Sequence, residues 1–416
     1  MTGVVVQMSE RRSMAAERHP RPRAVVVLSP WFPNTPKDWK FTYIYDSAAA
    51  LTRLGLAVHV LVCRPFTPPF LDFLAPEWTR GRIETGAFEG LASLTAIYYP
   101  GLPGGRLRRV TNVVASQRIG RALKSLAVKS GAELVHAHTE GLALIASGVA
   151  RQLDLPSVVT LHGLNTDPQF LHEPAQRAIF RRALNSTDRV ILVGKPLWPF
   201  FSTLVGRDDH FRVIHNGVRF PRDLDRGPIL RPSQPIRFIA VSNLHEGKGV
   251  DVALRALALA RDAGFEHWDY TIVGEGSERA ALVDLSQSLG LAERVRFLGA
   301  HPHDKVFEFL SEADIFVLPS YREAFGISYL EAMAAGLVTI GVRGQGPEAF
   351  IEDGKSGFLV EPKSPRSLAD CILGIVAQQE AARRIGAAGM KLVRSAFTWD
   401  AHATRLTEVY RELASR

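Results

Sequence analysis

Short apolar runs alternate with helical segments along nearly the whole chain, and this alternation leaves few folds open. The first half has six such runs, at AVVVLS (24–29), AVHVLV (57–62), LVHAH (134–138), SVVTLH (157–162), RVILVG (189–194) and FRVIHNG (211–217). The runs are continuous rather than alternately polar, which is typical of strands buried on both faces of a parallel sheet. With helical segments between them, they predict a doubly wound, Rossmann-like α/β domain over residues 24–218.

The same alternation begins again after one interruption. Residues 219–235, RFPRDLDRGPILRPSQP, carry four prolines and charges of both signs, and they predict a linker. Six further runs follow, at IRFIAVSNL (236–244), DYTIVGEG (269–276), RVRFLGA (294–300), DIFVLPS (314–320), LVTIGV (337–342) and GFLVEP (357–362). They predict a second Rossmann-like domain over residues 236–396, and the amphipathic segment 397–416 predicts a helix that crosses back to the first domain. Because ligands of such sheets bind beyond the carboxyl ends of the strands, we expect the two domains to share one cleft.

Composition says more about the cellular compartment and the charge of the partners than about the function. The chain has 416 residues, a net charge of +8 and a pI of about 9.6, a balance that favours anionic partners. Cys63 and Cys371 are far apart, which excludes a disulfide framework and a cysteine zinc site and favours a reducing cytosol. The sequence has no run near the ~20 apolar residues of a membrane span, and residues 1–23 are interpreted as a disordered basic tail rather than a secretory signal. We therefore expect a cytoplasmic protein, either free or peripheral on the inner face of the cell membrane.

Two glutamates mark the first candidate site, in EAFGISYLEAMAAG (323–336). Glu331 lies inside a helix with small apolar neighbours, where a buried carboxylate is costly unless something binds it. Glu323 lies in the loop before that helix, which begins near Gly326. Helical side chains lean toward the N-terminus, so both carboxylates reach one site, where each accepts hydrogen bonds from sugar hydroxyls. The helix N-terminus between them favours an anion, so the pattern fits a phosphate between two sugars.

A lysine at the other end of the second domain supplies the matching cation. Lys248 follows the first strand of that domain in VSNLHEGKGVD (241–251) and stands between two glycines, which allow close backbone approach. A single loop lysine is usually a solvated surface charge. In this strand-end loop we interpret it instead as a phosphate ligand.

These segments resemble the retaining family 4 glycosyltransferases. EAFGISYLEAMAAG resembles that family's E-x7-E motif, and DIFVLPS, VGEGSER, VRFLG, IHNGV and IEDGKSGFLVEP resemble its strand-end segments in their order. LHGLN (161–165) resembles its first-domain HG loop. The resemblance covers most of the chain from residue 24. It implies the GT-B fold and transfer of a sugar with retention, with the nucleotide-sugar as a substrate and no cofactor or required metal.

Carried over residue by residue, the resemblance also implies roles. Three residues would be catalytic: Glu323 at the hydroxyls of the transferred sugar, Lys248 at the diphosphate and His162 near that sugar. Glu331 would bind the ribose of the nucleotide. Gly274, Leu298 and Gly299 would shape the pocket for the base, and the backbone of Ala324, Phe325 and Gly326 would help Lys248 bind the diphosphate. The other donor-binding positions are Gly163 and Asn243.

The sequence departs from the family's pattern in two places. Asn243 stands where the family usually has an arginine, so this loop gives the diphosphate one cation rather than two; Arg322 and Arg343 are candidates to replace it. The usual glycine-rich loop after the first strand is replaced by SPWFPNTPKDWKFTYI (29–44). The second departure affects the acceptor side and one phosphate contact.

Two patterns that suggest a metal are given ordinary interpretations. His136 and His138 point to one face of a strand, but no cysteine or carboxylate cluster in the sequence completes a site around them. We expect them to line a pocket or the core. DLD (223–225) lies in the linker and is interpreted as a solvated charge run. No metal ligand is therefore assigned.

A basic stretch within residues 106–129 has two interpretations. No acidic residue occurs from Leu91 to Ala132. The basic side chains of the stretch are Arg106, Arg108, Arg109, Arg118, Arg121, Lys124 and Lys129, and on a helical wheel the last four lie opposite Ile119, Leu123 and Leu126. One interpretation is an ordinary surface helix; the other is contact with anionic lipid headgroups or a lipid-diphosphate acceptor, as in some relatives in this family. Without interleaved aromatic residues, nucleic acid is not expected.

The sequence thus predicts a retaining, metal-independent glycosyltransferase of the hexosyltransferase class. It would move a sugar from a UDP- or GDP-sugar to a glycan or lipid-linked acceptor, in bacterial-type surface polysaccharide or glycolipid synthesis. Two alternatives stay open: a sugar-nucleotide epimerase on the same fold, and a catalytically silent sugar-nucleotide-binding subunit, with which Asn243 is consistent.

Overall fold

The structure is a computed structural model that describes residues 21–36, 38, 40–66, 82–100, 105–163, 174–206, 209–220 and 235–415. Most of the predicted basic tail (1–23) and most of the predicted linker (219–235) lie outside these residues, as does the DLD segment.

Seven parallel strands form the first sheet, in the order β3-β2-β1-β4-β5-β6-β7. They are β1 (Ala24–Ser29), β2 (Ala57–Phe66), β3 (Ser93–Pro100), β4 (Leu134–His138), β5 (Ser157–Leu161), β6 (Arg189–Leu192) and β7 (Phe211–Val213). Strands β1, β4, β5 and β6 are buried at every position, as their continuous apolar runs predict.

The edge strand β3 is the one strand of this sheet that the apolar runs do not predict. It pairs in parallel with β2, and the side chains of its residues 93–99 are mostly half-buried. Its sequence, SLTAIYYP, mixes hydroxyl, apolar and aromatic residues. An edge strand with one partner does not need the uninterrupted apolar run that marks a central strand.

Helices cover both faces of the first sheet. They are α1 (Thr42–Arg53), α2 (Gly105–Ser130), α3 (Glu140–Gln152), α4 (Pro174–Asn185) and α5 (Trp198–Val205). Alternate β1 residues serve opposite faces: Val26 and Leu28 pack into a core with α2 and α3, whereas Val25 and Val27 pack into a core with α1. The two-sided burial follows from the period of two in a strand.

The second sheet has six parallel strands in the order β10-β9-β8-β11-β12-β13. They are β8 (Ile236–Val241), β9 (Trp268–Val273), β10 (Val295–Gly299), β11 (Ile315–Val317), β12 (Val338–Val342) and β13 (Phe358–Val360). The helices that follow or flank them are α6 (Val250–Asp262), α7 (Arg279–Ser288), α8 (His303–Glu312), α9 (Ile327–Ala334), α10 (Pro365–Ala377) and α11 (Gln379–Ala396).

A last helix, α12 (Trp399–Ala414), crosses back and packs against α1 on the first sheet, as predicted. His402 accepts a hydrogen bond at Nε2 from Ser47 Oγ at 2.9 Å, because its Nδ1–H donates to the His215 carbonyl at 2.8 Å. Within the described residues, no helix combines the length and the apolar character that a membrane crossing requires.

Candidate active site

A cavity of about 700 Å³ lies where the carboxyl ends of the two sheets face each other. The first half contributes residues 40–43, at the start of α1. The second half contributes the loops after β8, β9 and β10 and the first turns of α8 and α9; among these wall residues are Asn243, Lys248, Gly274, His303 and Glu331. The volume is within the range of ~300–1,000 Å³ that small-molecule sites have.

Lys248, which lines this cavity, forms an ion pair with Glu323. Lys248 Nζ is 2.8 Å from Glu323 Oε2, and the two side chains are only 17% and 12% exposed. The residues are 75 positions apart, but β8 and β11 are neighbours in the sheet, so their following loops meet. The pair orients both groups, and a ligand that brings sugar hydroxyls and phosphate can replace their mutual contact with its own.

The two glycines beside Lys248 make this approach possible. Gly249 has a φ of +68°, and a Cβ there would lie 2.2 Å from the Pro319 carbonyl oxygen. A Cβ on Gly247 would lie 2.9 Å from the Arg322 Cβ. The lysine turn is therefore pressed against the chain as it leaves β11, and neither position accepts a side chain without displacement.

Glu331 is bound to a residue that sequence reasoning missed. The carboxylate is buried in α9, and its Oε1 lies 2.7 Å from His303 Nε2 at the first turn of α8. Burial of the His303 imidazole disfavours its charged form, but the hydrogen bond to Glu331 and the charge of that carboxylate outweigh burial and raise the pKa of His303. The sequence did contain a signal for His303. It closely follows the predicted strand RVRFLGA, and the loops after such strands are expected to face the cleft.

The backbone of residues 324–326 is held from three directions. Glu323 N–H donates to Gln345 Oε1 at 3.0 Å, and its carbonyl accepts from Gly346 N–H at 2.9 Å. From the first half, Gly194 approaches so closely that a Cβ there would lie 1.8 Å from the Ala324 carbonyl oxygen. Gly326 has a φ of +98° and caps α9 without a side-chain hydrogen bond. The predicted loop is thus fixed, and its helix N-terminus has N–H groups available for an anion.

The prediction at Phe325 concerns the backbone, and the side chain of this residue is packed inward. It is 2% exposed, and its ring stacks on the His215 ring at 5.1 Å and 8°. Phe350 and Phe397 pack against it as well. Because the Phe325 side chain packs against His215 of the first half, a donor can contact this position only through the backbone.

The predicted base pocket lies at the ends of β9 and β10. Gly274 N–H donates to the Gly299 carbonyl at 2.8 Å, and a Cβ on Gly274 would lie 1.8 Å from the Ser242 carbonyl oxygen. His301 Nε2 lies 3.1 Å from the Leu298 carbonyl oxygen. Gly274 and His301 line the cavity, and Leu298 and Gly299 lie directly behind that wall.

His162 lies at the end of β5 beside a second histidine. Its Nε2 is 2.8 Å from His138 Nδ1, and the Tyr43 ring lies 4.7 Å from its ring. Burial, with smaller contributions from the neighbouring histidines, holds the pKa of His162 well below its usual range, so the imidazole is neutral. Its Nδ1 is buried and has no hydrogen-bond partner. Gly163 follows it, and residues 164 and 165 of the HG segment lie outside the described residues.

The two histidines with metal-like spacing have other partners. His136 Nδ1 lies 2.6 Å from the Tyr410 hydroxyl, and its Nε2 lies 2.8 Å from Thr160 Oγ1. Burial lowers the pKa of His136 well below its usual range and that of His138 to about 3. Among the residues that the structure describes, no three His, Cys, Asp or Glu side chains are grouped to hold a metal.

The candidates to replace the missing arginine differ in position. Asn243 lines the cavity and is exposed. Arg343 is engaged elsewhere, by Asp353 and, at 3.2 Å, by Glu361. Arg322 lies along Gly247, beside the lysine turn.

The predicted basic helix corresponds to α2. Ile119 and Leu123 are buried against the sheet, and the exposed side includes Arg118, Arg121 and Lys124. The same side also exposes apolar groups, with Val113, Val114 and Val128 at 58%, 53% and 63%. The side chains of Arg106, Arg108 and Arg109 lie outside what the structure describes.

Two family models match adjacent parts of the chain. The model described as Glycosyltransferase Family 4 matches residues 41–220, and the one described as Glycosyl transferases group 1 matches residues 221–392. Glycogen synthase of Mycobacterium tuberculosis is 30% identical over 306 residues, which are 70% of this chain and 72% of that protein. N-acetyl-alpha-D-glucosaminyl L-malate synthase of Bacillus anthracis is 27% identical over 300 residues, 69% of this chain and 77% of that protein.

Solved structures of low sequence identity share the fold. Sucrose-phosphate synthase of Thermosynechococcus elongatus superposes with a TM-score of 0.71 at 22% identity, covering 94% of this chain and 100% of that one. Anabaena HepE, solved in complex with UDP-glucose, gives a TM-score of 0.66 at 19% identity, again covering 94% and 100%. These likenesses confirm the predicted two-domain GT-B fold.

Proposed function

This chain belongs to glycosyltransferase family 4, and on that basis we propose that it transfers a sugar, with retention at the anomeric carbon, from a nucleotide-sugar to a hydroxyl of a glycan or lipid-linked glycan. The observation that carries the proposal is the Lys248–Glu323 pair, whose lysine lines the same cavity as the buried Glu331. Residues 24–218 would take the acceptor side and residues 236–396 the donor side.

The proposed reaction is a displacement on one face of the sugar. The bond from the anomeric carbon to the diphosphate oxygen breaks, and a bond to the acceptor oxygen forms on the same face. The acceptor proton passes to the departing phosphate oxygen, and the nucleoside diphosphate leaves. Lys248 and the backbone N–H groups at the start of α9 stabilise the growing negative charge. Such electrostatic stabilisation of developing charge is usually the largest single contribution to catalysis.

Within this proposal the carboxylates bind rather than react. Glu323 holds hydroxyls of the transferred sugar, and Glu331 holds the ribose after exchanging its contact with His303. His162 lies near the sugar as a neutral imidazole. Since Lys248 and the backbone N–H groups meet the leaving-group charge, the proposal includes no metal, and EDTA should leave turnover unchanged. Inhibition by EDTA that added metal reverses would contradict this part.

The first test is donor binding. The UDP-glucose complex of HepE supports UDP-sugars as the first set, with GDP- and ADP-sugars beside them in a thermal-shift screen. A ligand at 100 times its dissociation constant stabilises by ~2.7 kcal/mol. The donor that binds is then assayed with glycan acceptors, and NMR of the product gives its anomeric configuration. Binding by none of these donors would overturn the proposal; an inverted product would overturn retention, and donor turnover without acceptor would favour the epimerase.

A variant tests the division of roles. Glu323→Ala should abolish transfer and leave the affinity for the free nucleoside diphosphate largely intact, because the carboxylate is assigned to the sugar. Calorimetric titration of wild type and variant with the nucleotide makes the comparison. An equal loss of nucleotide affinity would show that the residue serves the diphosphate.

We also propose that the exposed side of α2 contacts anionic lipid, where a lipid-linked acceptor would be found. Basic side chains near exposed valines fit a surface with both phosphate groups and acyl chains. Each Lys or Arg near such a surface contributes ~1 kcal/mol. The double change Arg118→Glu/Arg121→Glu should therefore weaken co-sedimentation with phosphatidylglycerol vesicles at least about tenfold.

A matched control comes from the second half. Lys355 and Arg366 are 72% and 79% exposed, and reversing both changes the net charge equally. Equal effects of the two double variants, or equal binding to phosphatidylcholine and phosphatidylglycerol, would remove the lipid contact from the proposal.

A further inference from the structure

The second half alone provides little positive charge for a diphosphate. Lys248 already shares its charge with Glu323 at 2.8 Å. Asn243, in the position of the family's arginine, is neutral. Among the described residues that line the cavity there is neither Arg322, which lies along Gly247, nor Arg343, which is bound to Asp353 and Glu361. A nucleoside diphosphate brings at least two negative charges into a cavity whose wall also includes Glu275 and Glu331. The charge balance calls for another cation that lines this cavity.

The opposite wall has such a cation. Lys40 belongs to the loop after β1 and lines the same cavity as Lys248 and Asn243. It lies two residues before Thr42, where α1 begins. This is the segment in which the sequence replaces the family's glycine-rich loop.

Aromatic packing holds the backbone of Phe41, the residue after Lys40. Phe41, next to Lys40, has a left-handed backbone with a φ of +61°, which is rare and costly for a bulky residue. Its ring stacks on Trp31 at 5.8 Å and 7° and meets the Tyr43 ring edge-on at 6.4 Å. Tyr43 in turn packs on His162 at 4.7 Å. A costly backbone conformation held by three rings at a cleft is typical of a functional position.

We propose that Lys40 is the second cation of the diphosphate site and replaces, from the first half, the arginine that the second half lacks at Asn243. The inference rests on the proposed nucleotide-sugar donor. The diphosphate is then bound between Lys40 and Lys248, so the donor joins the two halves. Lys40 takes no proton; it stabilises the charge that grows on the leaving oxygen.

The test uses the full-length chain and the nucleoside diphosphate among UDP, GDP and ADP that binds wild type best, with its monophosphate beside it. Lys40→Ala and the equally long Lys40→Met should lower diphosphate affinity about tenfold or more and monophosphate affinity much less, since charge-assisted contacts to phosphate are the strong ones. Lys40→Arg should retain the affinity. Adding Asn243→Arg to Lys40→Met should restore part of the loss, because the guanidinium returns a cation to the same diphosphate. Lys355→Ala, an exposed lysine of the second half, is the matched control and should have no effect.

Three outcomes would overturn the inference. Unchanged diphosphate affinity in a folded Lys40→Met, with wild type active, overturns it and leaves the proposed function intact. Equal losses for diphosphate and monophosphate place Lys40 at the nucleoside or the α-phosphate, away from the phosphate that carries the leaving oxygen, and overturn it as well. If wild type binds none of the nucleotides, the proposed donor fails and the inference fails with it.

Discussion

Lys248 is the residue whose removal has the clearest expected effect. Charge on the diphosphate grows as the glycosidic bond breaks, so a contact with Lys248 strengthens in the transition state and acts on turnover. Lys248→Ala should lower turnover at saturating donor by about 10²–10³, the typical cost of losing one such contact in a closed site. The change also leaves the Glu323 carboxylate unpaired. Retention of more than about a third of wild-type turnover would show that another group carries this role.

His303 gives a pH dependence with a definite sign. Its pKa is raised in the folded protein, where burial is outweighed by Glu331. The pair therefore stabilises the fold fully below the ordinary histidine pKa, and this stabilisation is lost as pH rises through the raised folded value. The melting-temperature difference between wild type and His303→Gln should be larger at about pH 5.5 than at about pH 9. A difference that is constant with pH, or that grows with pH, would contradict the assignment.

At the residue scale the sequence located groups but not partners. Lys248 and Glu323 were predicted because strand-end loops of parallel sheets face ligands, and Glu331 because a carboxylate among small apolar helix residues is costly unless something binds it. That Lys248 contacts Glu323 depends on β8 lying beside β11, and sheet order is not visible in the spacing of strands along the chain. The inward packing of the Phe325 side chain was not visible in the sequence for a related reason: its partners, His215 and Phe397, come from the first half and from the start of the crossing.

Among the elements, the loop after β6 and the loop after β11 approach each other closely across the two halves. A Cβ on Gly194 would lie 1.8 Å from the Ala324 carbonyl oxygen and 2.9 Å from its carbon, far inside contact distance. Gly194→Ala should therefore displace residues 324–326 and lower both melting temperature and turnover.

Gly148→Ala is the matched control. It lies inside α3 with open space around the position of its Cβ. In a helix interior this change should be neutral or stabilise by roughly 0.5–1 kcal/mol. Similar melting temperatures and turnover for the two variants would mean that the loops after β6 and β11 can move apart without loss of stability or activity.

The elements themselves were largely predictable, apart from the edge strand. Continuous apolar runs identify β1, β4, β5 and β6 because these strands are buried on both faces. β3 has a single partner and half-buried side chains, so its sequence lacks that signal. The left-handed Phe41 was also unpredictable, since only packing on Trp31 and Tyr43 makes that conformation stable.

For the whole molecule, a layer of neutral histidines between the first sheet and α12 predicts sensitivity to acid. Burial lowers the pKa of His402 to about 4 and that of His138 to about 3. Below the ordinary histidine pKa the unfolded chain binds more protons than the folded one, so stability falls as pH decreases from about 6.5. His402→Asn should make this decrease shallower in urea unfolding, by on the order of 1–2 kcal/mol at about pH 5.

The exposed His267 is the control for this measurement. His267→Asn should leave the slope of stability against pH unchanged, because the prediction depends on burial. A slope that neither variant changes would mean that carboxylates cause the acid loss.

The crossing of α12 also sets an order of events during synthesis. Two helices, α1 and α12, cover one face of the first sheet. From α12, the side chains of Trp399, Leu406 and Tyr410 share a core with Val25 and Val27 of β1. A ribosome therefore finishes the whole second sheet before the first sheet receives its missing cover. For more than 180 residues of elongation the first half holds an open apolar surface, which is the kind of surface that chaperones bind. A chimera that joins the first half of one such protein to the second half of another keeps this problem after synthesis. Its first sheet is then covered by an α12 from a different protein, whose side chains evolved to pack on a different sheet.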